Sequence, residues 1–374
     1  MDVTESKYKL LQGVTAITID FKSVKFWINI ATLAALAVLV FAARSQIADA
    51  FGTFTELNML WLAAIIPLQI LNHTAVAKFY QSYLKNLGEK IKTKELIKVS
   101  LEMNFVNNVF PSGGVSGFGY LGIRLKKLGI RGSKSTLMQT SRHFLTFISF
   151  IIYLLIALLL LSLFGSASRL IILIASSMSS FIIFATLILL YIISDKNRVT
   201  SFTAALPRLV NKVFQFFHRK SKKPINIAKI ELLFIDLHKD YKKVRSNWKD
   251  LRHPFKWTML MNLTEITTIF IVYLSFAELV NPGAIIIAYA VANIAGLVSI
   301  LPGGVGIYEG LMTAVMTSAG VNNALALSAT VIYRVTNMGI FLPIGYYFYQ
   351  KTLKEDKITP ENIEGIKKHQ GNND

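Results

Sequence analysis

The 374 residues contain no cysteine, which excludes a disulfide framework and thiol chemistry. Charge is scarce, with 16% of residues ionisable against roughly 25% in soluble domains. Acidic charge is scarcer still, at 21 Asp and Glu against 40 Lys and Arg. There is no Walker loop, no dinucleotide fingerprint after a strand, no metal-ligand pair at helical spacing and no nucleophile–base constellation. The chain therefore reads as a non-enzyme without metal or cofactor. Residues 1–24 lack an apolar core followed by a small-residue cleavage site. No cleavable signal peptide is expected, and the first span serves as an uncleaved anchor.

Apolar sequence is abundant. Hydrophobic residues make up 53% of the chain and the mean hydropathy is +0.49. Several runs reach the ~20 residues needed to cross a bilayer core. The reading is an all-α polytopic membrane protein with six full spans, near 26–43, 57–79, 136–164, 170–194, 257–279 and 324–349. The net charge of +19 lies between spans, as the positive-inside rule expects, and does not imply nucleic acid. Lys7, Lys9, Lys22 and Lys25 put the N-terminal segment 1–25 in the cytoplasm. The linker 195–256, with sixteen Lys/Arg against five Asp/Glu, and the polar tail 351–374 belong on the same side. Within the linker Ile230, Leu233, Phe234, Leu237, Tyr241, Val244 and Trp248 recur at helical spacing, the mark of an amphipathic helix on the membrane or the bundle. The two membrane halves are then 26–194 and 257–350.

Each half contains an interrupted apolar element. Near 96–128 the chain breaks at Pro111-Ser112-Gly113-Gly114, and near 283–318 it breaks at Pro302-Gly303-Gly304. Pro111, Gly113, Gly119 and Gly129 recur as Pro302, Gly304, Gly310 and Gly320, all at one offset of 191 residues. Neither arm of either element is comfortably long enough to cross, so both are expected to be re-entrant hairpins, their irregular backbone sheltered by protein or water. Arg124, Lys126, Lys127, Arg131 and Lys134 flank the first, while 304–333 holds no Lys or Arg. The first hairpin is expected to open to the cytoplasm and the second outward, which makes the halves inverted repeats. Transporters of this kind place their sites at the membrane midplane, where the broken helices meet.

Ionisable residues inside spans cost roughly 3 kcal/mol each on insertion scales and are site candidates. Arg334 and Glu309 are expected either to pair or to leave Arg334 for a lipid phosphate, which suits a bidentate guanidinium. Arg142 and His143 take the equivalent place in the first half. Gly113, Gly114, Gly303, Gly304 and Gly306 permit tight backbone and open helix N-termini that attract anions, and Asn108 and Asn293 add polar contacts. Glu265, His73 and Glu309 are the candidates for proton or ion coupling.

Leu301-Pro302-Gly303-Gly304-Val305-Gly306-Ile307-Tyr308-Glu309-Gly310, followed by Ile332-Tyr333-Arg334, resembles the second-half signature of the lysylphosphatidylglycerol synthase transmembrane region, a flippase-like integral membrane family. Pro111-Ser112-Gly113-Gly114-Val115-Ser116-Gly117, with Gly129-Ile130, is similar to its first half. The likeness runs over about residues 20–350. Many members carry a Gly-Glu pair and a nearby Arg in the first loop; here Gly113-Gly114 has no acidic neighbour. The resemblance implies a stand-alone membrane domain that moves or accommodates lipids, without the soluble aminoacyl-transferase domain that makes lysyl-phosphatidylglycerol.

The expected function is thus a flippase or transporter of a phosphate-bearing lipid, of phospholipid or polyprenyl-phosphate type, in the cytoplasmic membrane. The alternatives are a scaffold presenting lipid to a separately encoded lipid-modifying transferase, or an ion-coupled transporter of a small solute. Membrane lipids are the expected partners, nucleic acid is not, and a homodimer is compatible with the sequence.

Overall fold

The computed structural model describes residues 57–110, 115–163, 194–204, 248–298 and 304–355, with isolated helical positions within 34–44, 173–192 and 235–242. Every extended element among the described residues is a helix. In chain order these are α1 (Met59–Ala63), α2 (Ile65–Asn86), α3 (Thr93–Val109), α4 (Val115–Lys127), α5 (Gly132–Leu163), α6 (Arg252–Ser275), α7 (Pro282–Val298), α8 (Ile307–Ser318) and α9 (Asn323–Glu355), with a 3₁₀ turn at Trp248–Leu251 before α6.

Four of these runs are long and apolar enough to cross a membrane: Met59–Asn86, Lys134–Leu163, Lys249–Ser275 and Asn323–Lys354. They answer to the expected spans near 57–79, 136–164, 257–279 and 324–349. The spans near 26–43 and 170–194 are described only at scattered positions, and most of the amphipathic stretch of the linker and of the tail lies outside the described residues. The interrupted elements near 96–128 and 283–318 are each two short helices. α3 and α7 have 17 residues, α4 has 13 and α8 has 12. At about 1.5 Å per residue they extend about 18–26 Å, short of the ~30 Å hydrocarbon core. Their arms pack on each other, α3 on α4 and α7 on α8.

Local chemistry sets the ends. Pro282 opens α7, where a missing N–H costs nothing, and the Asn281 side chain accepts the Gly283 N–H at 2.8 Å. Asn322 caps α9 by accepting the N–H of Ala324 at 2.9 Å. The two series α2–α5 and α6–α9 also end their helices alike. Each boundary in the second follows its counterpart in the first by 187–192 residues. Gly129 (φ 84°) closes α4 and Gly320 (φ 93°) closes α8. The next N–H bonds back in both, Ile130 to the Leu125 carbonyl at 3.0 Å and Val321 to that of Met316 at 3.1 Å. This is the glycine-dependent Schellman turn. α2 and α6 end the same way, through Gly88 (φ 83°) and Ala277 (φ 58°).

Packing crosses between the series. α2 lies along α6, α3 packs on α9, and α7 packs on α5. Two glycines permit the crossed contacts. A Cβ on Gly345 of α9 would stand 2.5 Å from the Leu101 carbonyl oxygen of α3, and one on Gly283 of α7 would stand 2.6 Å from that of Ala157 on α5. Small residues let helix backbones approach where lipid supplies no hydrophobic driving force between helices. Gly345→Ala is expected to destabilise the protein by about 1–3 kcal/mol, because the clash is with backbone. Gly122→Ala, which meets open space, is the control. Thermal unfolding in detergent checks this; equal midpoints for the two variants would refute the close approach.

Two large apolar clusters fill the bundle, and a smaller third joins α3 to α9 through Phe105, Val109, Leu342 and Tyr349. One of the large clusters joins α5 to α6, α7, α8 and α9 through Leu154, Ala157, Val272, Ile287, Met316 and Ile332. The other joins α2, α3 and α4 through Phe79, Tyr80, Leu96, Leu121 and Leu125.

Candidate functional site

The helix following the second break begins one residue past Gly306, which adopts φ 90°. That conformation is strained for any residue with a Cβ. Glu309, in the first turn of α8, curls back so that Oε2 accepts the Gly306 N–H at 2.6 Å. Its Oε1 accepts Nη1 of Arg334 from α9. Both side chains are almost wholly buried, and the guanidinium also lies 5.1 Å from the centre of the Tyr308 ring. One carboxylate thus satisfies an orphan helix N–H and neutralises a buried cation. Of the two uses expected for Arg334, the structure has the ion pair. The carboxylate thereby takes one N–H at the start of α8 and sets a negative charge beside it. Gly304 is buried with φ 67°. Pro111, Gly113, Gly114 and Gly303 lie outside the described residues.

Beside this pair, Tyr333 Oη donates to Glu265 Oε2 on α6 at 2.6 Å. Gln69 Nε2 on α2 donates to the same oxygen at 3.4 Å and to Thr268 Oγ1 at 3.1 Å. The Tyr333 and Tyr308 rings stack at 6.4 Å. Tyr289 is within electrostatic range of Glu265, Tyr308 and Arg142. Asn262 Nδ2 donates to Ser149 Oγ on α5 at 2.8 Å, and its Oδ1 accepts Tyr289 Oη at 3.4 Å. A polar seam therefore runs through an apolar bundle where α2, α5, α6, α7, α8 and α9 converge.

Arg142 enters the seam from α5. Its Nη1 donates to Tyr80 Oη on α2 at 2.6 Å, with the ring 5.5 Å away. Among the described residues no carboxylate pairs with it. Gln139, one turn earlier, donates to the Phe118 carbonyl in the first turn of α4 at 2.9 Å. α4 and α5 are antiparallel neighbours, so Arg142 stands level with the start of α4. That start has no acidic residue in its first turn, and Phe118 occupies the position that Glu309 holds in α8. His143 is exposed and lies off this seam. His73 is buried and bonded through Nδ1 to Ser100 Oγ at 3.0 Å, with Phe341 packed at 5.0 Å. Asn108 and Asn293 each donate to their own helix, to the carbonyls of Asn104 and Tyr289, at 2.8 Å. No group of three His, Asp or Glu fit to hold a metal occurs among the described residues.

Sequence reasoning missed a second buried ion pair. Glu102 of α3 accepts Arg124 Nε at 2.9 Å and Tyr120 Oη at 2.8 Å from α4, and Thr352 Oγ1 from α9 at 2.9 Å. The available signal was a lone acid inside the apolar run 96–110. Glu102→Ala would strand the Arg124 guanidinium, a loss expected at about 3–5 kcal/mol. Thermal unfolding tests this, and a midpoint within error of wild type would refute it.

An all-helical body with four apolar runs of membrane-crossing length, two interrupted helix pairs and a buried polar seam defines an integral membrane protein. Residues 26–345 match the family described as Lysylphosphatidylglycerol synthase TM region, and the chain belongs to that family. A "UPF0104 membrane protein" of Pyrococcus horikoshii is 23% identical over 282 residues, 74% of this chain and 82% of the relative. Another, from Methanothermobacter thermautotrophicus, is 30% identical over 108 residues, 29% of this chain and 32% of that relative.

Proposed function

We propose that this protein moves a phosphate-bearing lipid across the cytoplasmic membrane, using two inverted halves that meet at the polar seam. The observation that carries the reading is the crossed packing: each series lays the first arm of its interrupted pair on the final long helix of the other, α3 on α9 and α7 on α5. Two halves so interleaved rock against each other without leaving either hairpin unsupported, as alternating access requires. The opposed charge flanks give the orientation, with the first hairpin open to the cytoplasm and both chain ends there.

In this reading the two halves divide the work. Glu309 and Arg334 brace the second hairpin. Arg142, level with the start of α4, whose first turn has no acidic residue, holds the lipid phosphate, since a cation in a span without an anion costs energy until one arrives. Gly304 and Gly306 supply the bend. The test is leaflet-specific movement of a fluorescent phosphatidylglycerol and of a phosphate-free diacylglycerol in vesicles containing the purified protein. Protein-dependent movement of the first alone is expected. Rates equal to empty vesicles for both would overturn transport. Retention of phosphatidylglycerol without movement would favour a scaffold serving a separate transferase.

A further inference from the structure

We propose that Glu265 is a proton-exchange site, built at the crossing of α2, α6 and α9 and wired through Tyr333 to the Glu309–Arg334 brace. The inference stands apart from the identity of any lipid. Glu89, Glu95, Glu102 and Glu309 each pair with a lysine or arginine. Glu265 sits in a membrane-crossing helix, and its bonded partners Tyr333 and Gln69 are both neutral. A bare carboxylate there is costly, so the group needs its own neutralising ligand.

The geometry selects a proton over a metal ion. Both donors converge on Oε2, which leaves Oε1 to carry hydrogen. Gln69 turns its Nε2 towards the site, and that nitrogen is held in place by Thr268 Oγ1. A metal ion would need an oxygen where this N–H points.

Titratable and charged groups surround Glu265 from five other helices. From α9 come Tyr333 and, next in the chain, Arg334, which is committed to Glu309 of α8. α8 also contributes Tyr308 and α7 contributes Tyr289, while Arg142 and Tyr153 of α5 lie beyond, within electrostatic range of Tyr289. On α2, His73 lies one turn beyond Gln69 and is bonded to Ser100. Of the three coupling candidates, Glu309 and His73 are thus engaged elsewhere. Removing the proton from Glu265 strengthens its bond from Tyr333, and Tyr333 immediately precedes the arginine that anchors α8. Proton exchange at α6 is thereby felt at the second hairpin.

Infrared difference spectroscopy of the full chain in lipid nanodiscs at neutral pH tests this. Wild type is expected to give the carbonyl-stretch band of a protonated carboxylic acid. Glu265→Gln should lack it and Glu309→Gln should keep it. Tyr333→Phe should shift it to higher wavenumber, because a donor to the carbonyl oxygen is gone. If Glu265→Gln fails to fold, Glu265→Asp should displace the band. A band unchanged in Glu265→Gln and in Tyr333→Phe would overturn the proposal. So would its absence in wild type together with a melting point raised by sodium chloride over choline chloride, which would make the site a metal-ion site.

Discussion

Glu309→Ala is expected to lower stability by about 3–5 kcal/mol, the range for stranding one member of a buried ion pair. The carboxylate has two partners on two elements, the Gly306 N–H and Arg334 Nη1. Its loss leaves an orphan helix N–H and a guanidinium in a nearly dry setting. Arg334→Ala should cost about as much from the other side. The double variant Glu309→Ala with Arg334→Ala should cost less than the two single losses added, because neither charge is then left alone. Thermal unfolding of all four proteins in one detergent gives the double-mutant cycle. Additive losses would mean that the two residues do not act together. The corollary concerns function: an inactive Arg334→Ala would report lost structure before it reported a lost phosphate contact.

Arg142→Gln is expected to behave in the opposite way. Arg142 is half-buried, so truncating its hydrogen-bonded charge opposite its ligand should cost about 2 kcal/mol of binding, the low end for buried charge pairs. At 1.4 kcal/mol per factor of ten, lipid movement should fall by about thirtyfold. Stability should hold, because among the described residues the partner stranded is the neutral hydroxyl of Tyr80. Arg142→Lys should fall between, keeping the charge and losing the planar fork that grips two phosphate oxygens. Tyr80→Phe removes the orienting hydroxyl without touching the charge and should have the smallest effect. The leaflet assay and thermal unfolding on the same preparations check both halves of this. Wild-type rates in Arg142→Gln would refute its role as the phosphate anchor.

The two arginines stand at nearly equivalent places, and the sequence does not tell them apart. At an offset of 191 residues Arg334 answers to His143, not Arg142. Neighbours on a helix point about 100° apart. Only the packed structure turns Arg142 towards Tyr80 while His143 is exposed. The Glu102–Thr352 contact joins residues 250 positions apart and depends on α3 meeting α9, which no local pattern encodes.

What the sequence determined by itself was local or periodic. Apolar runs of spanning length marked the long helices, because a bilayer sets their length. The recurring prolines and glycines marked the interrupted pairs, because proline lacks an N–H and glycine alone turns left-handed freely. Gly129 and Gly320, two of the recurring glycines, close α4 and α8. The tertiary structure decided which charges are matched and which are not. Arg334 with Glu309 and Arg124 with Glu102 are closed pairs, while Arg142 and Glu265 hold only neutral partners among the described residues. Charge pairing inside a membrane depends on distances of a few ångströms between helices distant in the chain, and only their packing sets those distances.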